Sequence, residues 1–279
     1  MNGIGPFPMN VVIVAIALLA AWLVTRFVSR RVADQPRKAA CALVLDAAMV
    51  GLIVARIGYI ALWWPEYAAA PWSMLAIGDG GFAWWAGLPA AVLFAGWRTR
   101  ARKALRPPVL AGVAAGMLVW ALAGAVPALL HQSAPPLPDI ALADVDGTTV
   151  QLTDYGGSPV VMNLWATWCP PCRREMPVLE YAQSAYPDVR FVLVNQGEDV
   201  PTILRYLEQE GLQLSNVLLD PSNRTMQAVG ARGLPTTLFF DSDGQLVDSH
   251  LGELTRASLS DTLRRRFDVV ASVLDQSEE

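Results

Sequence analysis

The strongest constraint on the fold of this chain is a series of long apolar runs in its first half. Residues 10–28 are almost uninterruptedly apolar, and a helix of that length rises far enough to cross a hydrocarbon core of about 30 Å. Further apolar runs cover residues 39–64, 81–97 and 109–130, of which the third is the shortest. The sequence therefore predicts an α-helical membrane domain with four transmembrane helices over residues 1–130.

Charge divides the chain at the same point. Up to Leu130 there are 11 Lys and Arg residues against 4 Asp and Glu, and from His131 onward there are 10 against 21. The basic residues of the first half cluster in two loops, one between the first and second runs and one between the third and fourth. Cytoplasmic loops are enriched in Lys and Arg, so we predict that both loops are cytoplasmic and that the N-terminus and the C-terminal half lie outside.

Two other functions of the first half fit the sequence poorly. A cleaved signal peptide is disfavoured because no basic residue precedes the first run and no small-residue cleavage site follows it. The basic residues lie between apolar runs instead of along a polar face, which disfavours a nucleic-acid partner. The predicted partner of this half is the lipid bilayer. The roles of Asp46, Arg56 and Cys41 stay open, although charges within a span often pair with each other or with a neighbouring helix.

Residues 40–105 resemble part of the prolipoprotein diacylglyceryl transferase family. The resemblance rests on Arg-Ile-Gly-Tyr at residues 56–59, on spaced prolines and on the Gly80-Gly81 pair. The family's histidine falls on Trp85, and Ala86 replaces the glycine after it. Because tryptophan cannot titrate as histidine does, we interpret this half as a degenerate relative kept as a scaffold. A lipid-modifying enzyme is the alternative.

The second half has the pattern of a soluble α/β domain. A proline-rich linker at residues 131–138 precedes it, and such a tether is extended and fairly stiff. Over residues 139–279, short apolar strand-like runs alternate with helical patterns and end in a hairpin and an amphipathic helix. That order predicts helices packed around one mixed central sheet.

Two cysteines spaced for redox chemistry lie at a strand-to-helix junction of this domain. Cys169 and Cys172 follow the apolar run of residues 159–164 and precede a helical pattern. A helix N-terminus favours thiolate over thiol, which predicts a redox-active pair in which Cys169 attacks and Cys172 resolves. A zinc site would need two more ligands, and only His250 is available in this domain. A structural disulfide is the other alternative, but the pair lies at a predicted exposed helix start flanked by tryptophans, which disfavours it. The third cysteine, Cys41, leaves an odd number, which excludes a disulfide framework.

The motif and its surroundings resemble thioredoxin, and more closely its membrane-tethered extracytoplasmic TlpA/ResA-like branch. The match covers residues 138–275 and is nearly residue for residue over residues 163–177. It implies an α/β thioredoxin-like fold, no cofactor, no metal, a protein or peptide disulfide substrate and a DsbD/CcdA-like membrane electron donor. The site residues it implies are Cys169 and Cys172 as the redox-active disulfide, Glu175 as the acid, and Trp168, Pro171, Leu234 and Pro235 as substrate-binding or supporting residues.

Within that resemblance, three positions have specific expectations. Pro235 corresponds to the family's cis-proline, which opens the backbone of Leu234 to the substrate. Thioredoxin's buried aspartate is replaced by Asn163, so Glu175 is the candidate for moving the Cys172 proton. The other interpretation of Glu175 is a first-turn glutamate that complements the helix dipole.

Together these features predict a membrane-anchored periplasmic thiol-disulfide oxidoreductase of the inner membrane that acts as a reductase. The alternatives are a dithiol oxidase or isomerase, and a non-catalytic thiol-binding or chaperone module.

Overall fold

The computed structural model describes residues 9–31, 37–129 and 135–271. The described residues divide into two compact units. One holds residues 9–31, 37–65 and 81–129, and the other holds residues 66–80 and 135–271. The stretch 66–80 falls within the predicted domain 1–130, yet it groups with the second unit.

The first unit is helical, as the apolar runs predict. Three of its helices are long and apolar enough to cross a membrane, so the chain is membrane-anchored. The third predicted span is a helix of 15 residues, about 22 Å long at 1.5 Å per residue and so shorter than a ~30 Å hydrocarbon core. The helices up to the end of this half are α1 Met9–Val28, α2 Arg37–Leu62, α3 Trp64–Ala69, α4 Trp84–Arg98 and α5 Arg106–Leu129.

Helices α2 and α4 approach closely at two glycines. A Cβ on Gly87 would lie 2.5 Å from the Gly51 carbonyl oxygen, and one on Gly51 would lie 3.0 Å from the Gly87 carbonyl oxygen. Small residues are the usual means of bringing apolar helices into contact, because packing drives helix association in lipid.

The second unit contains the mixed sheet that the strand pattern predicts. The sheet has seven strands in the order β2-β1-β5-β4-β3-β6-β7. Strands β3, β4 and β5 run parallel, and the outer pairs are antiparallel. The strands are β1 Ala141–Asp144, β2 Thr149–Gln151, β3 Val160–Trp165, β4 Arg190–Gln196, β5 Val217–Asp220, β6 Thr236–Phe240 and β7 Leu246–Leu251, and the helices are α6 Pro170–Ala185, α7 Val200–Glu210, α8 Arg224–Ala228 and α9 Arg256–Phe267.

Apolar side chains fill both faces of this sheet. Successive residues of a strand point to opposite faces, so Val161 and Trp165 of β3 belong to one core and Met162 to the other. The first core contains the cysteines and residues of α6, α7 and α9. A fully buried central strand explains why β3 reads as a continuous apolar run rather than an alternating one.

Part of the predicted linker is bound to the sheet unit. Residues 131–134 lie outside the described residues. Pro136 bridges Gln245, and the Leu137 N–H donates to the Gly244 carbonyl at 2.8 Å. The end of the linker is therefore fixed at the β6–β7 turn and is not a free spacer.

Candidate active site

The dithiol lies where β3 gives way to α6. Cys169 is the N-cap residue of α6, and its sulfur accepts a hydrogen bond from the Cys172 N–H at 3.3 Å. Pro170 and Pro171 occupy the first helical positions, where a missing N–H costs no helical hydrogen bond. A disulfide joins Cys169 to Cys172. The first sulfur thus meets the helix end, where unpaired N–H groups and the dipole favour a thiolate.

The two cysteines are more covered than an exposed helix start suggests. Cys169 is 3% exposed and Cys172 is fully buried, whereas Trp168 beside them is 68% exposed. On the inner side, the Trp165 ring lies 5.6 Å from the Tyr206 ring of α7. The dithiol therefore has an apolar backing and one exposed aromatic neighbour.

Glu175, one turn beyond Cys172 on α6, is completely buried. Its Oε1 accepts a hydrogen bond from the Asn163 side-chain amide at 2.8 Å, and its Oε2 accepts one from the Leu254 N–H at 3.0 Å. Burial raises the pKa of the Glu175 carboxyl from its ordinary 4.5 to about 8, although both hydrogen bonds oppose that rise. Such an acid can exchange a proton near neutral pH.

Asn163 positions the Glu175 carboxylate through a hydrogen bond. Its amide nitrogen donates to Glu175 and also to the Thr237 hydroxyl of β6 at 3.0 Å. Sequence reasoning identified Asn163 only as the residue at thioredoxin's aspartate position. The contact joins residues on a strand and on a helix, so no local spacing indicated it.

Leu234 and Pro235 lie at the same edge of the sheet as the dithiol. Strand β6 runs antiparallel to β3, and its first residue Thr236 pairs with Leu164 near the end of β3. The Leu234–Pro235 peptide bond is cis. Pro235 is buried, and Leu234 is partly buried and packs against both cores. Leu234 and Pro235 therefore precede β6 at the end of the sheet where β3 leads into the dithiol.

A further acid, Glu198, fixes the loop that leads into the dithiol, and sequence reasoning missed it. Its carboxylate accepts hydrogen bonds from the Thr167 N–H at 2.7 Å, from the Thr167 hydroxyl and from the Asn195 amide at 2.7 Å. A signal was present, because β3 and β4 are parallel and their carboxyl ends meet at one edge. An acid just after β4 therefore faces the loop just after β3.

The segment before α9 contacts two consecutive charged residues of α6, Arg174 and Glu175. Arg174 forms an ion pair with Glu253 at 2.7 Å, and the next residue, Leu254, donates its N–H to Glu175. Arg173 forms an ion pair with Glu210 of α7. The positive charges beside the dithiol are therefore neutralised by acids from neighbouring elements.

His250, the residue weighed as a zinc ligand, lies in β7. Burial lowers the pKa of its imidazole. Among the residues that the structure describes, no group of three or more His, Cys, Asp and Glu side chains could hold a metal ion.

In the helical unit, the residues singled out from sequence differ in their contacts and in their exposure. Arg56 donates to the Gly81 carbonyl at 2.9 Å and lies 5.8 Å from the Phe82 ring. Cys41 is buried, Asp46 is exposed and Trp85 is 57% exposed. Gly81 lies so close to α2 that a Cβ there would be 2.5 Å from the Tyr59 ring and 2.7 Å from the Arg56 guanidinium.

Comparison with known proteins divides the chain at the same place. Residues 132–263 match the Redoxin family model, and residues 4–126 match that of prolipoprotein diacylglyceryl transferase. The similar solved structures include a putative thiol:disulfide interchange protein DsbE from Chlorobium tepidum. It is 28% identical, has a TM-score of 0.44, and the match covers 49% of this chain and 95% of that one.

Two similar relatives are both named thiol-disulfide oxidoreductase ResA. Thiol-disulfide oxidoreductase ResA of Geobacillus thermodenitrificans is 34% identical over 131 residues, which cover 45% of this chain and 73% of the relative. ResA of Bacillus subtilis is 30% identical over 126 residues, which cover 44% of this chain and 70% of the relative. The chain, through its second half, belongs to the ResA family of thiol-disulfide oxidoreductases.

Proposed function

We propose that the chain is a protein-disulfide reductase that works outside the cytoplasm at the inner membrane. The charge asymmetry of the loops supports four crossings with the N-terminus and the redox domain outside. The observation that carries the chemical proposal is Glu175, buried one turn beyond Cys172 and hydrogen-bonded to Asn163 and Leu254.

In the first half-reaction the reduced Cys169 thiolate attacks one sulfur of a substrate disulfide. A bond forms between Cys169 and that sulfur, the substrate S–S bond breaks, and the other substrate sulfur leaves as a thiolate that takes up a proton. The helix N-terminus favours the attacking thiolate. An extended substrate segment pairs with the backbone at Leu234, beside Pro235, while Trp168 and Pro171 border the contact.

In the second half-reaction Cys172 resolves the mixed disulfide. Its thiol gives its proton to the Glu175 carboxylate, and the resulting thiolate attacks the Cys169 sulfur. The Cys169–Cys172 disulfide forms, and the second substrate sulfur leaves as a thiolate that is then protonated. The substrate gains two electrons and the dithiol loses two. No cofactor takes part in either step.

The product of this cycle is the disulfide form, so turnover needs a supply of electrons. A membrane dithiol protein of the DsbD/CcdA-like type would return two electrons by the same exchange. The substrates are protein disulfides, and an apocytochrome c with a Cys-x-x-Cys-His segment is one candidate. Run in reverse, the same dithiol would act as an oxidase.

Trapping separates catalysis from a non-catalytic thiol-binding role. In Cys172→Ser the first exchange can occur but its resolution cannot, so mixed disulfides with substrate proteins should accumulate. Cys169→Ser should accumulate none and should not reduce insulin. Cys41→Ser is the matched control and should behave as the unaltered protein. A Cys172→Ser chain that traps nothing and retains full insulin reduction would contradict the assigned roles.

The direction of electron flow has its own test. A reductase should be found mainly as the dithiol in growing cells, and it should become oxidised when the membrane electron donor is removed. Alkylation of Cys169 and Cys172 before and after chemical reduction measures this ratio. A pair that is mainly disulfide whether or not the donor is present would identify an oxidase instead.

A further inference from the structure

Residues 66–80 follow α2 along the chain and precede α4, yet they are packed as part of the sheet unit. Two acids of this connecting segment are almost completely covered, since Glu66 is 7% and Asp79 is 3% exposed. A buried carboxylate costs free energy unless hydrogen bonds or ion pairs compensate it. Their burial therefore marks specific contacts.

Asp79 makes the central contact. Its Oδ2 accepts a hydrogen bond from the Tyr67 hydroxyl at 2.8 Å and another from the Thr255 hydroxyl at 3.1 Å. Thr255 is the N-cap residue of α9, and its oxygen accepts from the Ser258 N–H at 3.2 Å. The Thr255 hydroxyl proton has two acceptors in reach, Asp79 at 3.1 Å and the Ser258 hydroxyl at 3.2 Å. The carboxylate is the charged acceptor of the two and so the stronger one, and it completes the cap from outside the helix.

The two residues before Thr255 contact α6, the helix that begins at the dithiol. Glu253 pairs with Arg174, and the Leu254 N–H donates to Glu175. Three consecutive residues thus contact α6 and the connecting segment in turn. The position of the Leu254 N–H is set by α6 on one side and by Asp79, through Thr255, on the other.

Glu66 makes a second contact with α9. Its Oε1 lies 3.5 Å from the Ser260 hydroxyl, which in turn accepts a hydrogen bond from the Tyr186 hydroxyl at 2.8 Å. Arg256 of the same helix attracts the Glu66 carboxylate. The connecting segment therefore contacts α9 at its N-cap residue, Thr255, and again five residues later at Ser260.

We propose that residues 66–80 are a docking element of the redox domain, and that Asp79 is a positioning residue for Glu175, acting through Thr255 and Leu254. The proposal deepens the proposed function, because it rests on Glu175 as the proton acceptor of Cys172. Asp79 does not touch the reacting sulfurs. Its part is to hold the N–H that hydrogen-bonds the Glu175 carboxylate.

The direction of the effect follows from that hydrogen bond. The Leu254 N–H favours the ionised carboxylate, so a displaced Leu254 leaves Glu175 holding its proton to higher pH. Among the charged or titratable groups nearby, Glu253 faces Glu175, and Tyr67 and His250 face Asp79. A hydrogen bond to a charged group corresponds to about one pKa unit, so the reactivity profile of Cys172 should move up by about one pH unit.

The test uses the full-length chain in detergent, reduced and carrying Cys169→Ser so that Cys172 is the thiol observed in the motif. Its alkylation rate by iodoacetamide is followed by peptide mass spectrometry from pH 5 to pH 10. Asp79→Ala should shift the profile upward. Asp79→Asn, which keeps one acceptor oxygen for Tyr67 and Thr255, should retain the original profile. Asp146→Ala, an exposed turn acid of the same unit, is the matched control.

Amide hydrogen exchange in the same proteins reports on docking independently of the chemistry. The amides of Leu254, Thr255 and Ser258 should exchange about tenfold faster in Asp79→Ala alone, as expected for the loss of about 1.4 kcal/mol. Should Asp79→Ala fail to fold, Tyr67→Phe removes the hydrogen bond from the Tyr67 hydroxyl to Asp79 and should cause a smaller change in the same direction.

Unchanged alkylation and unchanged exchange in Asp79→Ala would overturn the proposal, and so would an Asp79→Asn protein as impaired as Asp79→Ala. Glu175→Gln distinguishes this failure from failure of the proposed function. If Glu175→Gln itself leaves the Cys172 profile unaltered, the acid role is wrong, and positioning of Glu175 for catalysis falls with it. In that case the hydrogen-exchange data test only whether residues 66–80 dock on the redox domain.

Discussion

Replacing Glu175 by glutamine should stabilise the redox domain, and increasingly so as pH rises. The carboxyl is buried and its pKa is raised to about 8, so at neutral pH the fold keeps a proton that the unfolded chain releases. Glutamine has nearly the same shape and never ionises. Asn163 can turn its amide to present Oδ1, a buried atom without a hydrogen-bond partner among the described residues, to the new amide nitrogen.

The magnitude follows from the two pKa values. The folded state binds the proton more tightly than the unfolded state, so the free energy of unfolding is highest below pH 4.5 and falls as pH rises until about pH 8. Each pKa unit corresponds to 1.36 kcal/mol, which gives a total loss of about 5 kcal/mol across that window. Glutamine has no such loss. The difference in unfolding free energy between Glu175→Gln and the unaltered chain should therefore grow by roughly 3 to 4 kcal/mol between pH 5 and pH 8.

Pulse proteolysis in urea can measure this on the oxidised full-length chain in detergent, by following fragments of the redox domain at each pH. Glu208→Gln, which alters an exposed glutamate of α7, is the control and should track the unaltered chain. The reasoning is refuted if the unfolding curves of Glu175→Gln and the unaltered chain keep a constant separation from pH 5 to pH 8.

Three other outcomes are expected. Glu198→Ala removes the acceptor of three hydrogen bonds from Thr167 and Asn195, so it should lower the unfolding free energy by about 2 to 4 kcal/mol in the same urea assay, whereas Glu208→Ala should not. A reporter enzyme active only outside the cytoplasm should be active when fused after Glu279, and an inactive fusion would contradict the predicted topology. Expression in a strain without prolipoprotein diacylglyceryl transferase should leave a prolipoprotein unmodified, because Trp85 cannot titrate; restored lipidation would show that the helical half is an enzyme.

The elements of the fold were predictable because their signals are local. The run 160–165 is apolar except for Asn163 and is a buried central strand with the predicted bounds. The apolar runs of the first half all contain helices, since a long run with few or no charges has few other solutions. Only the third differs, as its helix is shorter than a membrane is thick.

The contacts of the candidate site were not predictable to the same degree. Glu175 is held by Asn163 and by Leu254, which is 79 residues away in the sequence. Asp79 reaches Thr255 across 176 residues. Hydrogen bonds of this kind follow from the packing of finished elements, and single-sequence periodicity carries no information on which distant polar residues meet. Glu198 is an intermediate case, because parallel pairing of β3 and β4 indicates its neighbourhood without naming its partners.

The same raised pKa that destabilises the fold suits Glu175 to its proposed role. A cysteine thiol has an ordinary pKa near 8.5, so passing its proton to an ordinary glutamate near 4.3 is uphill by about 5 to 6 kcal/mol. With the Glu175 pKa at about 8, the transfer from Cys172 is nearly balanced. The hydrogen bonds from Asn163 and Leu254 limit how far burial raises that value, because they favour the ionised form. Loss of either bond would raise the pKa further and reduce the ionised fraction that can accept the proton, whereas exposure to water would make the carboxylate too weak a base. The hydrogen bonds to Glu175 therefore have to keep their geometry. This is why the contact between Asp79 and Thr255, although distant in sequence from Glu175, matters to the chemistry.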